Sequence, residues 1–375
     1  MKPAIFLILL AMPVWGWCQS AGVFRPGELW PDNNGVHINA HGGGILFHEG
    51  TYYWFGEHKT EGRRGNQAWV GVHCYSSENL YNWVDEGIAL PVSKDPESPV
   101  VEGCVIERPK VIYNARTGKF VMWFHLELKG QGYNAAQTGV AVADHPAGPY
   151  TFIRAVNPDA GNWPLNYSAS LQQMEFKDEM KAWTDEWKQA VHDGLFVHRH
   201  LERGQMSRDM TLYVDEDGTA YHIHAAEDNL TLHISRLDDE YTGFTGKYIR
   251  VLPTGHNEAP AIFKRNGKYY MITSGCTGWA PNAARLLVAD SVMGNWEYIK
   301  NPCRGEGAEI TFDSQSTFIL PVQGKKDTFI FMADRWKPDN AIDGRYIWLP
   351  LQFDQEGLPY LEWMDEWSLE KASGH

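Results

Sequence analysis

Four side chains that hold or position protons recur at one place in a repeated phrase: Glu107, Asp209, Glu258 and Gln315. Each opens a run of strand-forming residues that leads to a glycine turn. Glu258 precedes Ala261-Ile262-Phe263, then a Lys-Arg-Asn-Gly-Lys turn, then Tyr269-Tyr270-Met271-Ile272. Carboxylates gathered in a water-poor cleft cannot all titrate normally, because like charges and burial raise at least one pKa. A carboxyl kept protonated near neutral pH can give its proton to a leaving oxygen. An ionised partner can act on a water from the other side. Glycoside hydrolysis makes that pair of demands, and a wide separation that admits a water leads to inversion.

These residues converge only if the elements that carry them do. The phrase occurs five times: "HGGGILFHEGTYYWFGE" from His41, "ERPKVIYNARTGKFVMWFH" from Glu107, "DMTLYVDEDGTAYHIHA" from Asp209, "EAPAIFKRNGKYYMITS" from Glu258 and "QSTFILPVQGKKDTFIFMA" from Gln315. The leading polar residue stands 9 positions before the turn glycine in four units and 11 in one. Strand, glycine turn and a second strand rich in aromatic and β-branched residues make a β-hairpin. Alternating runs such as "WVGVHCYSS", "LTLHISRL" and "YIWLPLQF" between the units add further strands. Radial repetition of such units predicts an all-β fold, a five-bladed β-propeller. The first strand of each blade would line the axis, so that the five opening residues meet at one channel mouth. The alternative is that each is an ordinary strand-entry residue satisfied by its own turn.

Residues 162–206 break the pattern. "KDEMKAWTDEWKQAVHDG" has helical spacing, with Trp183, Trp187 and Val191 expected on one face. This segment reads as a helical insertion before the third inner strand, either a pocket wall or a surface decoration. No linker divides the chain, so residues 19–375 are expected to form one catalytic domain.

Composition narrows the partners. The chain has 375 residues, 43% hydrophobic, with a formal net charge of -14. An acidic surface repels phosphate backbones and anionic lipid, which argues against nucleic-acid and membrane partners. The 16 Trp, 17 Tyr and 16 Phe suit the C–H faces of sugars and equally suit β cores. "MKPAIFLILLAMPVWGWCQSAGV" has one lysine before an apolar run and small residues after it, the pattern of a secretory signal peptide over residues 1–18, with its boundary between 16 and 20. Trp17 before Cys18 argues against lipidation. The mature protein is therefore expected to be exported, periplasmic or extracellular. Cys74, Cys104, Cys276 and Cys303 contain no CxxC pair and are expected to be mostly buried free thiols.

Other patterns are weaker. "DEDG" at 215–218 lacks the later glutamate of a calcium loop and reads as an Asx turn. His222, His224 and His233 lie in strand-like runs without metal-ligand spacing, so no metal and no cofactor are expected. "HGGGI" at 41–45 has no nucleophile elbow to serve and reads as close backbone packing near the axis.

Taken in order, "HGGGIL…YYWFGE" (41–57), "ERPKVIYN…FVMWFH" (107–125), "SRDMTLYVDEDG" (207–218), "EAPAIFKRNGKYYMI" (258–272), "SGCTGWAPNAA" (274–284), "SQSTF" (314–318) and "DRW…RYIWLPLQF" (334–353) cover nearly all of the mature chain. The chain resembles glycoside hydrolase family 43, in its exo-β-1,3-galactanase/galactosidase branch. The resemblance implies a five-bladed propeller and inversion at the anomeric carbon. It makes Glu258 the general acid and Asp209 the carboxylate that tunes and orients it. Glu107 would stand close to sugar and water, and Gln315 would hold the attacking water. Most of the family carries an aspartate base in the region where this chain has "NAHGGG"; the galactan branch lacks it, as this chain does. The base is then Glu107 or Gln315. Trp279 and Trp336 would stack on galactose faces, with His41, Tyr133 and Arg335 as further substrate-binding candidates. The resemblance thus implies an exo-acting β-1,3-galactosidase working on galactan such as the arabinogalactan backbone. Alternatives are the same fold acting as an arabinofuranosidase, xylosidase or galactofuranosidase, and a sugar-binding propeller without catalysis.

Overall fold

Each phrase folds as the hairpin its turn requires. All five turn glycines, Gly50, Gly118, Gly218, Gly267 and Gly324, have φ between 68° and 88°, the left-handed region open to glycine at little cost. The computed structural model describes residues 22–177 and 179–372. The expected signal peptide and Cys18 lie outside them.

The first sheet holds β1 (His41–His48), β2 (Thr51–Glu57), β3 (Gly71–Ser77) and β4 (Val84–Pro91). The second holds β5 (Val105–Asn114), β6 (Lys119–Glu127), β7 (Gln137–Ala143) and β8 (Thr151–Val156). The third holds β9 (Met210–Val214), β10 (Ala220–Ala226), β11 (Thr231–Leu237) and β12 (Phe244–Val251). The fourth holds β13 (Glu258–Arg265), β14 (Lys268–Ser274), β15 (Arg285–Ala289) and β16 (Glu297–Lys300). A small sheet joins β17 (Cys303–Arg304) to two later strands, and between them comes the sheet of β18 (Gln315–Pro321), β19 (Phe329–Arg335) and β20 (Arg345–Pro350). The two later strands are β21 (Gln352–Phe353) and β22 (Pro359–Glu362), in the order β17-β22-β21.

The described residues therefore form six sheets, not the five expected, and the five-bladed reading is corrected on this point. The sheet that was not foreseen is made of strands two to four residues long, adjoins β20, and contains a parallel pair, β17 with β22. It has neither a hairpin phrase nor a polar opening residue, so a count of repeated phrases misses it. Around the axis β1 lies against β5 and β18, β5 against β9, β9 against β13, and β13 against β18.

The helical insertion is also smaller than expected. It comprises α1 (Ala169–Gln172), α2 (Asp185–His192) and α3 (Leu195–Arg199). Thr184 caps α2 by accepting from the Trp187 N–H. Trp183 precedes that cap with φ 69° and is 60% exposed, so it leaves the apolar face; Trp187 and Val191 are buried as expected.

Most aromatic mass goes into the seams between sheets. Trp54, Trp83 and Trp348 form one cluster with Phe24, Tyr75 and Tyr346 between the first and last large sheets. Trp123 fills the seam between the second and third. Cys74, Cys104 and Cys303 are buried free thiols, and Cys276 is an exposed one.

The inner strands are irregular where they begin. Ladder register shifts between His41 and Gly44, between Glu107 and Lys110, and between Glu258 and Ala261. The residue after each opening residue has positive φ: Gly42 at 61°, Arg108 at 56° and Ala259 at 52°. Such bulges bend a strand and re-aim its side chains, here at the end nearest the axis. Gly43 is fixed by close approach, because a Cβ there would strike the carbonyl of Phe55. That is the tight packing expected of "HGGGI".

Candidate active site

Four of the five opening residues meet in a cavity of about 240 Å³ at the axis. Glu107, Asp209, Glu258, Gln315, Tyr133, Trp279 and Trp336 all line it. Its floor is closed. Arg108 and Lys110 are buried across the axis, with Lys110 Nζ donating to the carbonyls of Gly42 and Arg108. A further cleft, lined by Lys110, Tyr113 and Phe318, lies on the far side of that plug.

Glu258 has a carboxyl suited to hold a proton. Burial, and then the nearby charge of Asp209, push its pKa up to about 7. Asn229 Nδ2 donates to its Oε1 at 2.6 Å, and Gln315 Nε2 approaches Oε2 at 3.5 Å. Asp209 is held in place by the Ala259 N–H at 3.1 Å and by Arg108 Nη2 at 2.8 Å.

Glu107 has the opposite character. Its Oε1 accepts from Tyr133 Oη at 2.6 Å and from Asn66 Nδ2 at 2.8 Å, while His125 Nδ1 meets Oε2 at 2.9 Å. Burial alone would raise its pKa, but the His125 hydrogen bond and charge, with Lys59 and Tyr133, hold it well below the usual carboxylate range. Burial opposes charge on His125 too, yet its bonds to Glu107 and Glu127 lift it to about 9. At neutral pH this is a carboxylate flanked by an imidazolium. Glu258 and Glu107 thus face one cavity with their titrations pushed apart, the signature of an acid and an ionised partner.

Arg108 ties the sheets together at the floor. Its Nη2 donates to Asp209 Oδ2 and, at 2.6 Å, to Gln315 Oε1; its Nη1 donates to the Ser316 carbonyl; its backbone N–H donates to Glu57 Oε1. Gln315 Oε1 also accepts from the Trp336 indole at 3.0 Å, and Gln315 Nε2 donates to Ser274 Oγ at 2.9 Å. Two donors on one oxygen fix the amide as a carbonyl facing Arg108. Trp336 therefore orients Gln315 and stands edge-on to half-exposed Trp279 at 5.7 Å.

Ligand atoms of Glu107, His125 and Asp209 lie within 4.8 Å of one another, close enough to converge on a cation. Both ring nitrogens of His125 already face carboxylates, so a metal there would displace one of those contacts.

Two expected residues do not reach this cavity. His41 is fully buried beneath it, bonded to Asp334 at 3.2 Å and stacked on Tyr346. The tight turn at Gly42 sends the His41 side chain toward β19. Arg335 turns the other way, as strand alternation requires after Asp334. It joins Phe312, Asp313 and Trp363 in a separate cleft of about 610 Å³.

Sequence reading missed Arg108, Asn66, His125, Asn229, Glu57 and Cys276. A usable signal was present for some of them. The hairpin ladders pair His41 with Glu57, Glu107 with His125, Glu258 with Ser274 and Gln315 with Asp334. In four of the five phrases a polar residue thus stands opposite the one that opens it; in the third, Asp209 faces Ala225, whose N–H donates to the Asp209 carbonyl. The "DEDG" turn is an Asx turn as read, with Asp217 Oδ1 accepting from the Thr219 N–H at 2.8 Å, two residues on. His222, His224 and His233 are buried in the third sheet and held neutral, chiefly by burial.

A propeller that offers an acid and an ionised carboxylate to one sugar-sized cavity is equipped as a glycoside hydrolase. The chain belongs to glycosyl hydrolases family 43, whose sequence profile matches residues 177–359. It is 57% identical to a family-43 β-1,3-galactosidase solved with galactodeoxynojirimycin, over 92% of this chain and 100% of that one, with a TM-score of 0.90. It is 32% identical to an exo-β-1,3-galactanase from Phanerochaete chrysosporium solved with β-1,3-galactotriose, over 94% of this chain and 70% of that one, TM-score 0.75. An exo-β-1,3-galactanase from Clostridium thermocellum is 35% identical over 94% and 68% of the two chains, TM-score 0.76. A β-D-galactofuranosidase from Aspergillus niger is 26% identical over 145 residues, 38% of this chain and 41% of that relative's length.

Proposed function

We propose that this glycoside hydrolase is an exported, exo-acting β-1,3-galactosidase that inverts configuration as it releases galactose from the non-reducing ends of β-1,3-galactan. The observation that carries the reading is the split in titration across one cavity. Glu258 is held protonated toward pH 7 by burial and Asp209, while Glu107 is held ionised beside His125. The solved galactosidase and galactanases support the choice of sugar and linkage. The closed floor supports exo action, since a dead-end cavity of about 240 Å³ takes a chain end and excludes a threaded backbone. Export rests on the sequence of residues 1–18.

In this reading Glu258 protonates the glycosidic oxygen as the C1–O bond breaks. Asp209 keeps that carboxyl's pKa high and, through the Ala259 N–H, fixes the start of its strand. The galactosyl unit passes through an oxocarbenium-like state, in which the attacking water becomes strongly acidic. A weak base then suffices, which suits Glu107, a carboxylate of low basicity. Gln315, its carbonyl held by Arg108 and Trp336, turns its amide edge to water and sugar. Trp279 offers a ring face at the mouth.

The partial match to a galactofuranosidase makes the sugar worth testing directly. Incubation with β-1,3-galactan, arabinan, xylan and an aryl galactofuranoside is expected to release single galactoses from the first alone. Chromatography of early products checks this. Oligosaccharides of mixed length from galactan, or faster release from the furanoside, would contradict it.

A further inference from the structure

The turn between β10 and β11 has an unusual backbone. Glu227, Asp228 and Asn229 have φ of 50°, 60° and 62°, three consecutive non-glycine residues in the left-handed region. Such a stretch persists only where its surroundings over-determine it. Here they do. Glu227 is fully buried and gripped at both oxygens by Arg250, Nε to Oε1 at 2.6 Å and Nη2 to Oε2 at 2.7 Å, with His233 Nε2 at 2.8 Å from Oε1. Arg250 in turn donates to the carbonyls of Val191 and His192 at the end of α2. Leu230 is buried in the apolar cluster of Trp187, Val191 and Leu195. The small insertion thus props the turn from behind.

At the tip, Asn229 lines the cavity and spends its amide on one oxygen of Glu258. The amide's own oxygen is buried and has no partner among the described residues, so the side chain is held there by its Nδ2, at 2.6 Å from Glu258 Oε1 and 3.9 Å from Cys276 Sγ. We propose that Asn229 is a positioning residue for the acid: its 2.6 Å bond to Oε1, against the 3.5 Å approach of Gln315 Nε2 to Oε2, leaves Oε2 as the oxygen that carries the transferable proton. The proton passes from Oε2 to the glycosidic oxygen, the C1–O electron pair goes to that oxygen, and Glu258 is left a carboxylate. The Asn229 N–H then donates to an anion instead of a neutral acid, so the bond strengthens as transfer proceeds. The inference rests on Glu258 being the general acid.

Two substitutions respect the turn: Asn229→Gly, free to adopt positive φ, and Asn229→Asp, which tolerates it and replaces the donor by an acceptor. On β-1,3-galactobiose both are expected to lose about 10- to 100-fold in kcat, the scale of one hydrogen bond to a charged group. On β-galactosyl fluoride, whose leaving group needs little protonation, the loss should be at least about tenfold smaller. The alkaline limb of kcat/KM should move to higher pH in both, because a donor to the ionised carboxyl has been removed. Equal losses on the two substrates, no loss on the disaccharide, or an unmoved limb would each overturn the proposal. Glu258→Gln is run alongside. If that variant keeps full disaccharide activity, the acid assignment fails and this inference falls with it. If it shows the acid-deficient pattern while the Asn229 variants do not, only the inference is lost.

Discussion

Glu258→Gln is expected to lower kcat on β-1,3-galactobiose by about 10²- to 10⁴-fold, the share that general acid catalysis supplies. The substitution is nearly isosteric and keeps an acceptor for Asn229 Nδ2, so the variant should fold normally. It removes the one proton that geometry and burial place at the leaving oxygen. The sign of the pH dependence follows. The protonated form of Glu258 is the active one, and its pKa is raised to about 7, so wild-type kcat/KM should fall as pH rises through that value. The residual activity of the variant should lack that alkaline limb. Full pH–rate profiles of both proteins check it. A Gln variant within tenfold of wild type, or one with the limb intact, would assign the acid elsewhere.

Arg108→Met is expected to act on stability as well as turnover. The Arg108 side chain is 5% exposed and that of Asp209 15%, and the guanidinium is the cation that contacts that carboxylate. Removing one partner of a buried pair costs about 3–5 kcal/mol, because the other charge is left uncompensated. Gln315 loses a donor to its oxygen at the same time, and the Ser316 carbonyl loses another. Urea unfolding should show a loss on that scale, with activity reduced even in the protein that remains folded. The alkaline limb should also move up, since Arg108 currently lowers the Glu258 pKa and Asp209 raises it. A stability loss below about 1 kcal/mol would mean that the floor of the cavity is held in some other way.

The two substitutions differ in how far the sequence announces them. Glu258 opens a phrase with a visible period, and that period identified all four opening residues that line the cavity. Arg108 sits beside Glu107 in "ERP", yet nothing in its spacing tells that a bulge with φ 56° drives it across the axis to Asp209 and Gln315. Asn229 and Asn66 come from connections, where no alternation constrains the side-chain direction. Their roles depend on a turn anchored by Arg250 and on a loop that closes over Glu107. His125 was within reach, because hairpin register sets it opposite Glu107. The small sheet of β17, β22 and β21 was not, because two- to four-residue strands leave no period to read. His41 and Arg335 stand away from the cavity for a simple reason. Proximity in sequence to a site residue says nothing about which face of a strand the side chain takes.

The most direct measurement of the mechanism is the anomeric form of the first galactose released from β-1,3-galactobiose, followed by proton NMR before mutarotation. Protonation by Glu258 on one side with water delivered past Glu107 and Gln315 from the other predicts α-galactose as the initial product. β-Galactose appearing first would mean that a covalent intermediate intervenes, and that Glu258, Glu107 and Gln315 do not divide the reaction between acid and water in this way.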